Sequence, residues 1–170
     1  IFEHESSFAI GSVAVAQSNP ETLWVGTGEV LMARSSYAGT GVFRSTDAGA
    51  TWKNVGLTDS YHIGRITVHP HDADVAWVAA IGHNYTNNKQ RGVFRTRDGG
   101  QSWQHVLSVS PRVGAIEVVL HPNDAQVLFA VTWERARKAW NNVEYGPGSG
   151  LHTSTDGGTN WRRVAGGLPT

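Results

Sequence analysis

Cysteine is missing from all 170 residues, which excludes disulfides, thiolate metal sites and a cysteine nucleophile. A small disulfide-stapled secreted domain is excluded with them. Neither sign of charge is in surplus: 14 Lys and Arg stand against 14 Asp and Glu, for a formal net charge of zero. General nucleic-acid binders and proteins held on anionic membranes depend on clustered positive charge, so neither partner is expected. No apolar run approaches the ~20 residues that cross a bilayer as a helix, so membrane insertion is not expected either. The chain opens on Ile1-Phe2-Glu3 without Met, and no charged start leads into an apolar signal-peptide region. A processed chain or a piece of a longer one is the expectation.

The sequence does contain a repeat. Three segments align on a turn that ends in Trp: Ser45-Thr46-Asp47-Ala48-Gly49-Ala50-Thr51-Trp52, Thr96-Arg97-Asp98-Gly99-Gly100-Gln101-Ser102-Trp103 and Ser154-Thr155-Asp156-Gly157-Gly158-Thr159-Asn160-Trp161. A short strand precedes each, at 41–44, 92–95 and 150–153. Further upstream lies an alternating apolar run opened by Gly: Ile10 to Val15, Ile63 to Val68 and Val113 to Val118. Between these runs come a turn and a second apolar strand, at 22–26, 75–79 and 127–131. Alternation and β-branched content favour strands over helices. The Trp-to-Trp spacings of 51 and 58 residues suit four-stranded units with long loops. With strands lettered A to D, the expected units are blade 1 at 10–57, blade 2 at 58–109 and blade 3 at 110–170. Residues 1–9 are expected to give a strand to a preceding blade.

The turns resemble the Asp box, and the chain as a whole resembles the BNR/Asp-box β-propellers. That superfamily includes sialidases, xyloglucan-cleaving enzymes, the sortilin ectodomain and bacterial exported proteins. The phrases Val25-Gly26-Thr27-Gly28-Glu29, His62-Ile63-Gly64-Arg65-Ile66 and Gly146-Pro147-Gly148-Ser149-Gly150-Leu151 are most similar to the bacterial sortilin-like group. The resemblance implies an all-β fold of propeller blades with Asp-box turns, and an exported protein, periplasmic or extracellular. Single-chain propellers have about four to eight blades. Three are expected to be part of a larger ring, or to need self-association, two copies making a six-bladed one.

A structural role is expected for the boxes. The carboxylates of Asp47, Asp98 and Asp156 can accept backbone N–H groups about two residues ahead and close the turn. Gly49, Gly100 and Gly158 allow a positive φ, and Trp52, Trp103 and Trp161 can fold between neighbouring sheets. Asn160 replaces Thr51 and Ser102, so the third turn is expected to be looser. Calcium wants about six to eight oxygens, and each turn offers one carboxylate; no metal or cofactor is expected.

In a propeller the A–B and C–D turns share one end and the B–C and D–A loops the other. Here the B–C loops are long and mutually unlike, at 29–40, 83–91 and 134–149. Divergent loops on a repeated scaffold are where binding resides. The candidate ligand-binding residues are Arg34, Tyr37, His62, Arg65, His83, Tyr85, Arg91, Arg112, Arg135, Trp140 and Tyr145. Aromatic rings mixed with Arg suit a glycan or a peptide. A glycoside hydrolase, which needs two carboxylates about 5–9.5 Å apart, is the alternative, with Glu29, Glu134 and Asp59 as candidate catalytic carboxylates. Glu29 and Glu134 belong to blades 1 and 3, a separation that stands against them. No sialidase or xyloglucanase set of catalytic residues carries over, and the binding reading is preferred.

Overall fold

The computed structural model describes residues 2–166. Blade 1 holds β1 (Ile10–Val15), β2 (Leu23–Thr27), β3 (Val42–Ser45) and β4 (Lys53–Asn54); blade 2 holds β5 (Ile63–His69), β6 (Asp72–Ala80), β7 (Gly92–Thr96) and β8 (Gln104–Leu107). Blade 3 begins with β9 (Val113–His121) and β10 (Asp124–Glu134). Its B–C loop carries a small hairpin, β11 (Ala136–Arg137) and β12 (Asn142–Val143), before β13 (Gly150–Ser154) and β14 (Arg162–Arg163). Each blade is a four-stranded antiparallel sheet in chain order. The expected all-β class of propeller blades is what the chain forms.

The residue types account for this packing. In β6 the run Ala76-Trp77-Val78-Ala79-Ala80 is buried on both faces, since blade 2 has a neighbour on each side. One core fills the space between blades 1 and 2, around Trp24, Val42, Ile66, Val78 and Phe94. A second, around Trp77, Val93, Val118 and Leu128, lies between blades 2 and 3. The A strands of successive blades converge, with Ile66 N–H donating to Ser12 Oγ (2.9 Å) and Thr67 Oγ1–H to Val118 O (2.6 Å). Glycine is required there: a Cβ on Gly11 or Gly64 would sit 2.2 Å from a carbonyl oxygen of the next blade.

A cross-strand pair ties each blade to its successor. Trp24 pairs with Arg44 and Trp77 with Arg95. Trp24 Nε1–H donates to Ala73 O, and Arg44 forms an ion pair with Asp74. Trp77 Nε1–H and Arg95 Nη1–H both donate to Gly157 O. Blade 3 has Phe129 and Thr153 at these positions, and neither supplies such a donor. Phe129 is only partly buried, and Val119 and Val131 beside it are exposed.

Residues 2–9 hold turns and no strand, in place of the strand expected for a preceding blade; Ile1 and the last four residues of blade 3's expected span, 167–170, lie outside the described residues. The Phe2 ring packs edge-on against Phe43 and Trp52 of blade 1, with both centroid distances 5.2 Å.

Candidate functional site

The two ends of the blades differ in construction. At one end each Asp turn docks on the A–B turn of its own blade, through Ala48 N–H to Glu21 O, Gly99 N–H to Asp74 O and Gly157 N–H to Gln126 O. The carboxylate reaches further than the two residues expected: Asp47, Asp98 and Asp156 accept from the N–H groups of Thr51, Ser102 and Asn160, four residues ahead. A second fastener is the hydroxyl two residues before each Asp. Ser45, Thr96 and Ser154 donate to the Asp and accept from the N–H of Gly49, Gly100 and Gly158. The third turn is not looser, since Asn160 Nδ2–H adds a bond to Asp156 (2.7 Å) and Thr159 N–H another. Bonds from Ser45 and Thr51 on Asp47, from Ser102 and Thr96 on Asp98, and from Asn160 and Ser154 on Asp156 hold all three carboxyls down to about 2.

The tryptophans of these turns reach back one blade. Trp103 Nε1–H donates to Val55 O (2.7 Å), and the ring lies edge-on to Trp24. Trp161 packs on the core between blades 2 and 3, and Trp52 meets Phe2. Cavities of about 550 Å³ and 190 Å³ open between the turns of adjacent blades. They are clefts left where repeated turns meet, and Asp98 and Gly157 in their walls already hold the scaffold together.

At the other end the three B–C loops interlock. Asn84 Nδ2–H donates to Ala33 O (2.9 Å), Tyr85 O–H to Arg34 O (2.7 Å), Arg34 Nη2–H to Ala139 O (2.9 Å), and Arg135 Nη2–H to Met32 O. The loops of blades 1 and 3 therefore touch despite the blade between them. The hairpin of β11 and β12 closes with Lys138 N–H donating to Asn141 O, which leaves Trp140 at its tip, 86% exposed. Tyr145 stands on the same loop, also exposed, and Tyr37 lies edge-on to Phe8.

Several of the candidate binding residues are internal ties. His62 is 2% exposed; its Nδ1–H donates to Glu29 O, and burial pushes its pKa down, which takes it out of a ligand's reach. Arg91, also buried, donates to Asn88 Oδ1 and to the carbonyls of Ile81, His83, Thr86 and Arg112. It is the pillar of the blade 2 loop, and burial lowers it to about 10. Arg65, another candidate, forks onto Glu117 of β9 at 2.7 and 3.0 Å. His83 Nε2–H donates to Asp59 (2.9 Å), its Nδ1 meets the Thr86 hydroxyl (2.8 Å), and Tyr61 stacks on it at 3.8 Å. The order hydroxyl, imidazole, carboxylate is that of a nucleophilic triad; here it ties the D–A loop after blade 1 to the B–C loop of blade 2. Leu57 and Tyr61 on that D–A loop have φ of 55° and 58°, so its backbone is held in a left-handed form.

The carboxylates considered for catalysis are unequal. Glu134 accepts from Gly148 N–H (2.8 Å) and pairs with Arg112 at 3.6 Å. Asp59 accepts from His83 and Asn88. Glu29 offers its backbone to Tyr37 and His62.

Of the residues that join these loops, Arg34, Tyr85 and Arg135 are among the candidates read from sequence, whereas Asn84, Asn88 and Met32 are buried in loops of polar composition. Their one visible signal is composition: the Asn-rich stretch Asn84 to Asn88 and the chain's single Met both fall in variable loops. Asn84, Tyr85, Arg91, Arg135 and Arg137 line a pocket of about 240 Å³ between the loops of blades 2 and 3.

The profile of the family described as "Sortilin, neurotensin receptor 3" matches residues 40–168. No curated protein matches the chain. Among solved structures, an ancestral GH74 enzyme is similar at 22% identity with a TM-score of 0.66, over 94% of this chain and 20% of that one. The GH74 xyloglucanase from Xanthomonas campestris is similar at 15% identity and 0.63, over 92% and 22%. YCF48 from Cyanidioschyzon merolae follows at 22% and 0.53, over 91% and 36%. The chain thus spans between a fifth and just over a third of these structures' own length, and at such identities the likeness is one of fold.

Proposed function

The chain belongs to the Sortilin-Vps10 family, and from that premise we propose that it is a propeller scaffold that binds a glycan or a peptide through its B–C loops. One observation carries this reading. Among the described residues every exposed aromatic ring lies at the loop end: all four tyrosines (Tyr37, Tyr61, Tyr85 and Tyr145), Trp140, and Phe8 against Tyr37. At the Asp-turn end the Trp rings pack between blades or against Phe2. Exposed rings on interlocked loops offer flat, apolar area at low entropic cost, which suits sugar faces and peptide side chains.

A glycan array and a peptide pull-down test the reading. Capture should weaken roughly tenfold or more in Trp140→Ala or Tyr145→Ala, as for central aromatic anchors. Unchanged capture in both variants would sink it. A glycoside hydrolase needs two carboxylates free for acid and base work, whereas Glu134 and Asp59 are already engaged. Turnover of aryl glycosides that vanished in Glu29→Gln or Glu134→Gln would reverse this preference.

The family also makes an exported location the working assumption. The open face of blade 3, with Val119, Phe129 and Val131, is proposed to meet further blades or a second copy, because a bare apolar sheet face invites association. A stable monomer by light scattering at micromolar concentration would count against the second copy.

A further inference from the structure

Buried donors at the loop end lack hydrogen-bond partners from within. Arg135 is only 6% exposed. Its Nη2–H donates to Met32 O, and its guanidinium lies over the Trp133 ring at 5.0 Å, which fixes the plane. The Nε and Nη1 groups are buried and have no hydrogen-bond partner. Nε of Arg137 and Oδ1 of Asn84 are in the same condition, and all three side chains line the 240 Å³ pocket. Its nine lining residues include Arg91, Arg135, Arg137 and Lys138 and not one Asp or Glu. Glu144 accepts from Asn142 and offsets part of the Arg135 charge, but it gives Arg135 Nε and Nη1 no hydrogen bond. An ionised group taken out of water without a partner is strongly destabilising, and a ligand that supplies the missing acceptor removes that cost.

The unmet groups also describe the ligand. Two donors on Arg135 and one on Arg137 call for an oxyanion. Asn84 Oδ1 calls for a donor from the same molecule, which a sulfate dianion lacks and a hydroxyl beside a carboxylate supplies. The volume falls below the about 300–1,000 Å³ that encloses a drug-sized ligand, so the pocket takes one end group. Tyr85, exposed at its edge and held by Arg34 O, offers a ring face to a sugar. We infer that this pocket binds a sugar acid: a uronate-type residue whose carboxylate meets Arg135 and Arg137 and whose hydroxyl meets Asn84. The inference rests on the scaffold reading above and narrows its ligand to an acidic glycan.

Calorimetry of the whole chain with an oligogalacturonide and its methyl-esterified counterpart tests it. The ester keeps the shape and removes the charge. Affinity for the acidic form should exceed that for the ester on the order of tenfold to a hundredfold, the worth of hydrogen bonds to a charged group. Arg135→Gln should abolish the difference. Because Arg135 also braces Met32, Arg137→Gln is the second variant: it should reduce the preference without moving the melting temperature. Equal binding of acid and ester would overturn the inference. So would a peptide with a free C-terminal carboxylate that binds more tightly than the sugar acid. If neither sugar binds while Trp140-dependent capture of another ligand persists, the pocket assignment fails and the scaffold reading stands. If the acid binds but Trp140→Ala and Tyr145→Ala change no capture, the exposed rings lose their place in the scaffold reading and the pocket stands.

Discussion

The Asp-turn end and the loop end of this protein are built from the same blades under opposite constraints. At the Asp-turn end three turns repeat one hydrogen-bond pattern, and their Trp rings reach into cores or onto Phe2. At the loop end the ties from one loop to another are not repeated: each uses different residues, and the exposed aromatic rings face water. Repetition marks what every blade needs in order to pack. Departure from it marks where the molecule has been free to acquire a surface for something else.

The largest test of this contrast is Trp103→Ala. The substitution removes a ring from the core between blades 1 and 2 together with its bond to Val55 O. A loss of about 3 kcal/mol is expected in urea denaturation, at the low end for buried Trp because the ring is partly exposed. A loss under about 1 kcal/mol, within the range of ordinary surface changes, would mean that the Asp turns do not bind the blades together.

Acid should destabilise the protein in two separate pH windows. Burial depresses His62, and likewise His105 and His152, below the ordinary 6.5. The unfolded chain therefore takes up protons first, and stability falls as pH drops below 6.5 toward their lowered values. The Asp turns behave differently: their carboxyls sit at about 2 against an ordinary 3.8, so their contribution is present above 3.8 and is lost as pH falls toward about 2. Melting temperature followed from pH 8 to 2 should show two declines. His62→Gln should shrink only the upper one. A single decline below 3.8 would contradict the buried, neutral state of His62 beneath the loops.

The repeat end could be read from sequence and the loop end only in part, for a physical reason. Local periodicity, the Asp and Gly of each turn, and the spacing of the Trp residues are set within one blade, and each was seen three times. The hydroxyls of Ser45, Thr96 and Ser154 were in plain view, yet their part emerged only from geometry, because a hydroxyl two residues before an Asp has many uses. At the loop end the deciding contacts join residues about 50 to 100 positions apart, such as Tyr85 with Arg34 and Arg135 with Met32. Nothing local in Arg135 distinguishes it from Arg34, which is exposed. The loops looked solvated because their composition is polar, and the burial of Asn84, Asn88 and Arg91 follows from packing loop on loop.

A smaller effect tests whether the three turns are equivalent. In blades 2 and 3 the residue after the Asp is Gly99 or Gly157, with φ of 69° and 67°; in blade 1 it is Ala48, at 55°. The left-handed form costs a residue with a Cβ roughly 1–2 kcal/mol, and glycine's greater freedom when unfolded returns part of any gain. Ala48→Gly should therefore stabilise the protein by about 0.5–1 kcal/mol. A loss would show that the Ala48 methyl group makes a contact that matters to this turn.

The smallest expected change in stability is the most telling for the loop end. Trp140 stands at the tip of the β11–β12 hairpin with 86% of its surface in water, so Trp140→Ala should alter unfolding by less than about 0.5 kcal/mol. The two tryptophan truncations then form a crossed pair. Trp103→Ala should cost stability, with the B–C loop residues left in place; Trp140→Ala should cost capture of the ligand and leave the fold alone. If Trp140→Ala destabilised the chain as much as Trp103→Ala, its exposure would not describe its surroundings, and the loop end would be one more packing surface. If it changed neither property, an indole kept in water at a hairpin tip would have no binding role, and the ligand surface would have to be sought in the pocket lined by Arg135 and Arg137.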